Sequence, residues 1–558
     1  AGSKNGNFGA AVKEDGTVWT WGANTKGQLG NGTTDSPKLN AIQVGSSGSN
    51  AMRITHGSVT NQDTGIQRVE FNNELITNVL IAENEEFHIF EDGISLNQSF
   101  SLLPDSQEVK AGSVEYTSFN PNIATVGKYT GIVTPVKGIY GTAIIIAKSD
   151  GYSSIIRVSI KPQDTDDVKS VAKPMVATGA SHTIALKYDG TVWTWGNNTN
   201  GQLGNNSTEN SSSPVQVKSA DGNTFLTNII EISAGSGHNM ALRNDGTVWT
   251  WGSNTYGQLG NGSSVNSMLP VQVKSADGNS FLTDVVQISA GYVHSMALKK
   301  DGTVWTWGRN DGGQLGNNNT SNKSLPVQVK GGASGSEYLT DVVQVTAGNW
   351  HSMALKANGT VYAWGWGQYG QLGNGYTTNS DDTDKYSGEK IYSAPVQVLS
   401  GAQTSETGYL KEVVQIDAMG GTGRAEKNRF GTSLAVTESK EVYGWGNSLY
   451  GALGVKSSIV SKPVRVGTDI SNAVQVAGGG KSGSDDWHVN SIGNTGYTYI
   501  LKEDGTVSSL GYNVNGELGN GAKVSTTAVQ EVSNLTEIMQ VAGSKNGNFG
   551  AAVKEDGT

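Results

Sequence analysis

The chain of 558 residues contains no cysteine. Disulfide staples, thiolate metal sites and a cysteine nucleophile are therefore excluded. Charge is scarce as well: 16% of the residues are Asp, Glu, Lys or Arg, and they sum to −10. A net-negative chain repels a phosphate backbone, so nucleic acid is not an expected partner. No run of about 18 apolar residues occurs, so no membrane-spanning helix is expected. The chain also lacks a P-loop, a dinucleotide-binding fingerprint and a Ser/His/Asp set, so an enzyme is not expected and no cofactor is called for. Proline stops at 11 residues and the apolar share at 35%, whereas there are 76 glycines, 13 tryptophans and 19 tyrosines. That balance fits many short strands joined by polar turns.

The dominant signal is internal repetition. DGTVWTWG stands intact at Asp15–Gly22, Asp189–Gly196, Asp245–Gly252 and Asp301–Gly308. Decayed copies begin at Asn358, Ser439 and Asp504. Each is followed by GQLG or a near copy, as at Gly257–Gly260 and Gly313–Gly316. A strand reading PVQV follows at Pro214, Pro270, Pro326 and Pro395. Upstream stand an apolar strand such as VVQISAG (Val285–Gly291) and a short one such as HSMAL (His294–Leu298). Each unit thus offers four short strands. In TVWTWG, Trp249 and Trp251 point to one side, and Val248 and Thr250 to the other. Such a strand suits burial on both faces, as radially stacked sheets require. The glycine density and β-branched content exclude helices.

The motifs AGxxHSxAL, DGTVWTWG and GQLG resemble the regulator of chromosome condensation repeat family. That resemblance implies a seven-bladed β-propeller over about three quarters of the chain. A second regularity points the same way. Residues 542–558 are identical to residues 1–17, so the sequence returns to its start after 541 residues. That period contains seven DGT-type strands. Tandem modules, an overlapping window on a periodic object and an artificial duplication all fit this recurrence. The start at Ala1 without a signal peptide reads as a window from a longer polypeptide.

The repeat breaks between about Gln67 and Pro162. Alternating strands at short spacing suggest a β-sandwich there. NPNIATVGKYTGIVTPVKGIYGTAIIIAKSDG is similar to the bacterial immunoglobulin-like group 2 family, whose modules are spacers or adhesive beads on exported bacterial proteins. On that resemblance Ala124, Val126, Ile132, Val133 and Val136 are core. The expected organisation is all-β: residues 1–45 as the last blade of a preceding, or the same closed, propeller; 67–162 as an immunoglobulin-like sandwich; and 168–558 as six blades and the start of the seventh, in tandem modules.

Candidate chemistry is sparse. His182, His238, His294 and His351 recur at 56, 56 and 57 residues, which places them on adjacent blades as structural hydrogen-bonding groups rather than metal ligands. Three irregular insertions stand out: Tyr376–Ser393, Gly420–Gly431 and Gly478–Gly496. The first brings Asp381, Asp382, Asp384 and Glu389 together, a weak candidate calcium loop whose spacing does not match the usual pattern. Tyr386 in that loop, and Asp485, Asp486 and Trp487 in the third insertion, are candidate recognition residues, because loops that break a repeat carry specificity. The N-x-S/T triplets at Asn31, Asn205, Asn206, Asn261, Asn318, Asn319 and Asn322 read as turn composition.

Two functional expectations follow. The first is a bacterial extracellular structural protein, whose partners are copies of itself or neighbouring modules building a surface fibre, sheath or layer. The second is an adhesin or secreted binding propeller that recognises a surface protein or glycan through loops of the fifth and sixth blades. The accompanying immunoglobulin-like segment places either at the cell surface.

Overall fold

The computed structural model describes residues 172–554, apart from 333–336, 378–390, 404–407, 423–428, 483–493, 544–549 and a few single positions, together with strands between residues 8 and 160. The repeat units become four-stranded sheets whose strands neighbour one another in chain order. In the third blade these are Val285–Ala290, His294–Lys299, Val304–Gly308 and Lys323–Gln328, all antiparallel. The first of each set is the inner strand and the last the outer one. The second strand is buried on both sides: Ser295, Met296, Ala297 and Leu298 are all 0% exposed. Such two-sided burial follows from packing each blade between two others. The two tryptophans of the third strand differ from the common core role expected of them. Trp307 is sealed, but Trp305 is half-buried and donates its indole N–H to Thr303 Oγ1 at 3.1 Å.

Among the described residues six such blades form: 175–216, 229–272, 285–328, 342–397, 413–466 and 473–531. This corrects the expectation of seven. The strands that would complete a seventh come from both ends of the chain, and they join in a five-stranded sheet. In it, Phe8–Val12 lies beside Gly550–Lys554 in parallel, with Val12 opposite Val553. The physical reason is the duplication. Both strands come from the same 17-residue sequence, so two copies of one strand occupy a sheet with room for one.

Neighbouring blades are tied by a repeated polar relay. His294 Nε2 bonds Ser352 Oγ of the next blade at 3.0 Å, and Ser352 Oγ donates to the Gln314 carbonyl at 2.9 Å. Trp364 Nε1 donates to the same carbonyl at 2.9 Å. His182 with Asn239, His238 with Ser295, and His351 with Ser433 repeat the pattern at 2.9–3.0 Å. Each of these histidines therefore joins its blade to the next. The relay also explains the Gly of AGxxH. A Cβ on Gly291 would lie 2.2 Å from His294 Cε1. In the fifth blade, where Thr432 replaces the histidine, Met419 takes the glycine's place. At the first blade the relay is incomplete among the described residues: Trp195 Nε1 and Thr183 Oγ1 are buried and have no hydrogen-bond partner there.

The inner strands line an axial cavity of about 200 Å³. Its glutamines bridge blades: Gln287, Gln344, Gln415 and Gln475 accept from the N–H groups of Val345, Ile416, Val476 and Val541 at 2.8–2.9 Å. Ser289 Oγ and Asp417 Oδ2 do the same one step along, to Ala347 and Gly478. The polar lining is thus spent on holding the ring together.

Between residues 79 and 160 the described strands make three small sheets, of three, four and three strands. The largest contains the long hairpin Gly141–Ser149 and Tyr152–Ile160. Ala124 and Val133 are buried as expected. A two-sheet immunoglobulin-like sandwich is not evident among these residues, because the strands divide into three short sheets rather than two facing ones.

Candidate functional site

Antiparallel order sends the connections of every blade to two faces. The inner-to-second and third-to-outer connections emerge on one, and the DG turns and outer-to-inner connections on the other. On the first face, the first four blades turn tightly through AGxxH. The fifth and sixth do not. Their inner and second strands run on as Val413–Thr422 with Arg429–Thr437, and Ala473–Ser482 with Asn494–Lys502. Pairs from Met419↔Thr432 to Thr422↔Arg429 extend one hairpin, and pairs from Gly479↔Tyr497 to Ser482↔Asn494 the other. The two ends of Gly420–Gly431 and of Gly478–Gly496, expected as irregular insertions, are thus paired strand, and 423–428 and 483–493 lie outside the described residues.

Glycine makes the twin hairpins fit. A Cβ on Gly478 would stand 2.2 Å from Met419 Cε, and one on Gly420 2.7 Å from Asn349 Cβ. Adjacent blades can therefore carry protruding ribbons side by side. Aromatic groups brace the same face. Tyr369 and Phe430 have ring centroids 4.1 Å apart, and Tyr450 meets Tyr512 edge-on at 5.1 Å. Burial lifts the Tyr512 hydroxyl to about 12, so it stays protonated. Tyr450 is 43% exposed and held at φ 61°, a conformation costly for an aromatic residue. In the third blade Arg309 lies 4.7 Å from the Tyr256 ring and 4.4 Å from Trp350, and makes paired 2.7 Å bonds to Asp311. These contacts give the face ordered, amphipathic side chains of the kind that anchor protein interfaces.

The sequence-predicted site residues fall as follows. Asp381, Asp382, Asp384, Tyr386 and Glu389 lie outside the described residues, within the third-to-outer connection of the fourth blade. Asp485, Asp486 and Trp487 also lie outside them, between the two strands of the sixth-blade hairpin. Among the described residues no group of three or more His, Asp or Glu side chains is placed to hold a metal ion. The N-x-S/T asparagines behave as turn residues: Asn205 accepts from Asn198 Nδ2 at 3.2 Å, and Asn206 and Asn318 take φ 63°. Sequence reasoning missed Tyr450 and, on the opposite face, the half-exposed rings of Phe225, Phe281, Tyr338 and Tyr409. A signal for the rings was present: an aromatic residue precedes Leu-Thr or Leu-Lys once in each of four blades.

This architecture defines a repeat β-propeller. The RCC1-like domain model matches residues 157–558, and the regulator of chromosome condensation (RCC1) repeat matches residues 15–56. The chain belongs to the RCC1-like domain family. It is similar to the ultraviolet-B receptor UVR8 of Arabidopsis thaliana, 28% identical over 376 residues that cover 63% of this chain and 79% of that one. It is also similar to the E3 ubiquitin-protein ligase HERC2 of Mus musculus, 33% identical over 222 residues, 39% of this chain and only 4% of that ligase. Among solved structures, Prp20p of Saccharomyces cerevisiae, described with its binding to Gsp1p and histones, superimposes with a TM-score of 0.50. It is 19% identical, with 68% of this chain and 83% of that chain covered, and it speaks for the fold alone.

Proposed function

We propose that this chain is a protein-binding propeller that engages its partner through the face carrying the twin hairpins of the fifth and sixth blades. The carrying observation is the extension of two adjacent hairpins beyond a ring whose other described blades turn tightly. Breaking a repeat at neighbouring positions costs the ring its regularity, and strand-paired ribbons lose less entropy on binding than free loops. Prp20p, which shares the fold, is described as binding Gsp1p and histones. A chain of net charge −10 attracts basic surfaces, so a partner with a basic face is part of the proposal.

The structural-fibre expectation gains no support from these relatives, whereas the binding expectation does. Location at a bacterial cell surface rests only on the resemblance of residues 67–162, and fractionation of native material checks it. The test of binding is excision. Gly420–Gly431 and Gly479–Gly496 are each replaced by the short turn of the third blade. Proteins captured by the intact chain, and lost by a variant that keeps its circular dichroism and Tm, support the reading. Equal capture by both chains overturns it.

A further inference from the structure

The face opposite the hairpins carries its own regular array. In the first four blades the outer-to-inner connection folds into a small hairpin, closed by the bridges Lys218↔Phe225, Lys274↔Phe281, Lys330↔Tyr338 and Leu399↔Tyr409. The aromatic residue of each bridge is half-exposed, at 49%, 51%, 46% and 48%. Near-equal exposure leaves one surface ring at the matching bridge of each of the four connections. The following leucine, by contrast, is buried in every copy: Leu226, Leu282, Leu339 and Leu410 are 0–5% exposed. The hairpin is therefore anchored by the leucine, and the ring is left at the surface. Hydrogen bonds such as Ile229 N–H to the Gly190 carbonyl at 3.2 Å and Val285 N–H to the Gly246 carbonyl at 3.1 Å fix these connections to the DG turns. The fifth and sixth blades omit the hairpin: only residues 467–472 and 532–537 join their outer strands to the next inner strand, and neither stretch has an aromatic residue.

The chemistry around each ring narrows what it can hold. The turns between ring and bridge partner are short and polar. In the first, Asp221 accepts from Ser219 Oγ at 2.5 Å and from the Asn223 N–H at 2.8 Å, and the second repeats this with Ser275 and Asp277. Lys330 Nζ stands 4.1 Å from the Tyr338 ring centroid. Isolated rings set among ordered hydroxyls and carboxylates do not make the contiguous apolar patch of a protein interface. A single-stranded nucleic acid also stacks on aromatics, but it needs a basic groove, which a chain of net charge −10 does not favour. A repeating ligand with apolar ring faces and a polar edge matches both the rings and their surroundings. We propose that this arc binds a polysaccharide, with one sugar ring stacked on the aromatic ring of each of the first four blades. Four weak contacts on one rigid scaffold then act together, so affinity grows steeply with ligand length. This inference is independent of the hairpin face, which lies on the other side of the ring.

Native affinity electrophoresis tests it. The intact chain is run in gels cast with xylan, mixed-linkage β-glucan, dextran, chitosan or alginate, beside gels without polymer. Retardation is expected in at least one. Substitution of Phe225, Phe281, Tyr338 and Tyr409 by Ala, singly and together, should weaken it stepwise: a few-fold for one ring and at least tenfold for four. A second set, Phe225→Trp and Phe281→Trp, keeps a stacking ring at each position and should retain retardation, which separates lost stacking from lost folding. Short oligosaccharides of the same sugar should compete far less well than the polymer. No retardation in any gel, or retardation unchanged in the fourfold variant, overturns the proposal. So does loss of retardation on trimming the fifth- and sixth-blade hairpins instead, which would move sugar binding to the other face.

Discussion

In the connections that flank their inner strands, the first four blades and the last two carry additions on opposite faces. The first four turn tightly through AGxxH on one face and build the ring-bearing hairpins on the other; the last two extend their strands where the first four turn and shorten the connections that the first four elaborate. The interior changes with them. From His182 to His351 each blade joins the next through histidine, a small polar side chain and a glutamine carbonyl. At the fifth-to-sixth junction Thr498 instead donates to the Ala452 carbonyl, and Leu510 stands where the tryptophan would be. Regular relays accompany uniform blades, and specialised surface accompanies a relaxed interior. The lesson is that a repeat array can hold its ring with conserved chemistry in one sector and release another for display.

That comparison can be broken at graded cost. The largest effect is expected from Trp307→Ala in the regular sector, which empties a sealed site and should cost about 3–5 kcal/mol in chemical denaturation. Next is Gly291→Ala, whose new Cβ meets the His294 ring at 2.2 Å; overpacking of this kind costs about 1–3 kcal/mol. Adding His294→Thr, as the fifth blade has beside Met419, removes the clash along with the His294–Ser352 bond, so the double change should cost clearly less than the two single changes summed, and additive losses would sink the explanation of the paired exchange. Trp307→Phe removes an indole N–H that donates to the Gln258 carbonyl at 2.9 Å, for a loss of about 1–3 kcal/mol. The same change at Trp195 should cost clearly less, because that N–H has no partner among the described residues. Equal losses at the two sites would contradict the incomplete relay at the first blade.

The smallest effect is electrostatic. Hydrogen bonds from Ser219 and from the Asn223 and Thr224 N–H groups pull Asp221 down to about 2. A carboxyl lowered on folding stabilises above its unfolded pKa and loses that contribution as pH falls through the folded value. The first-blade hairpin should therefore stay ordered to pH 4 and loosen between about pH 4 and 2. Asp221→Asn should abolish that pH dependence, read by amide exchange at Asn223 and Thr224.

Much of the ring was legible in the sequence, because DGTVWTWG, GQLG and the AGxxH strand each carry a packing requirement at fixed spacing. The blade count was not. Counting DGT strands gives seven, but duplicated ends place two copies of one strand in the same sheet, and spacing alone does not reveal that competition. Both tryptophans of the motif point to one side, yet only the second is sealed, and the first packs half-buried against the same core. The twin hairpins were hidden by their glycines: AMGGTG and AGGGKSG read as loops because glycine weakens isolated strands. Here Gly478 is the room that Met419 needs. The ring-bearing hairpins were hidden by polar turn residues, which mask the single aromatic side chain in each.

The central claim is that the fifth- and sixth-blade hairpins meet a protein partner. The most direct measurement places a photo-crosslinking amino acid at Lys481, in the sixth-blade hairpin, and separately at Asn223, on the opposite face. Illumination in native extract should give one discrete protein adduct from position 481 and none from position 223. No adduct at 481, or the same adduct from both positions, would contradict the assignment.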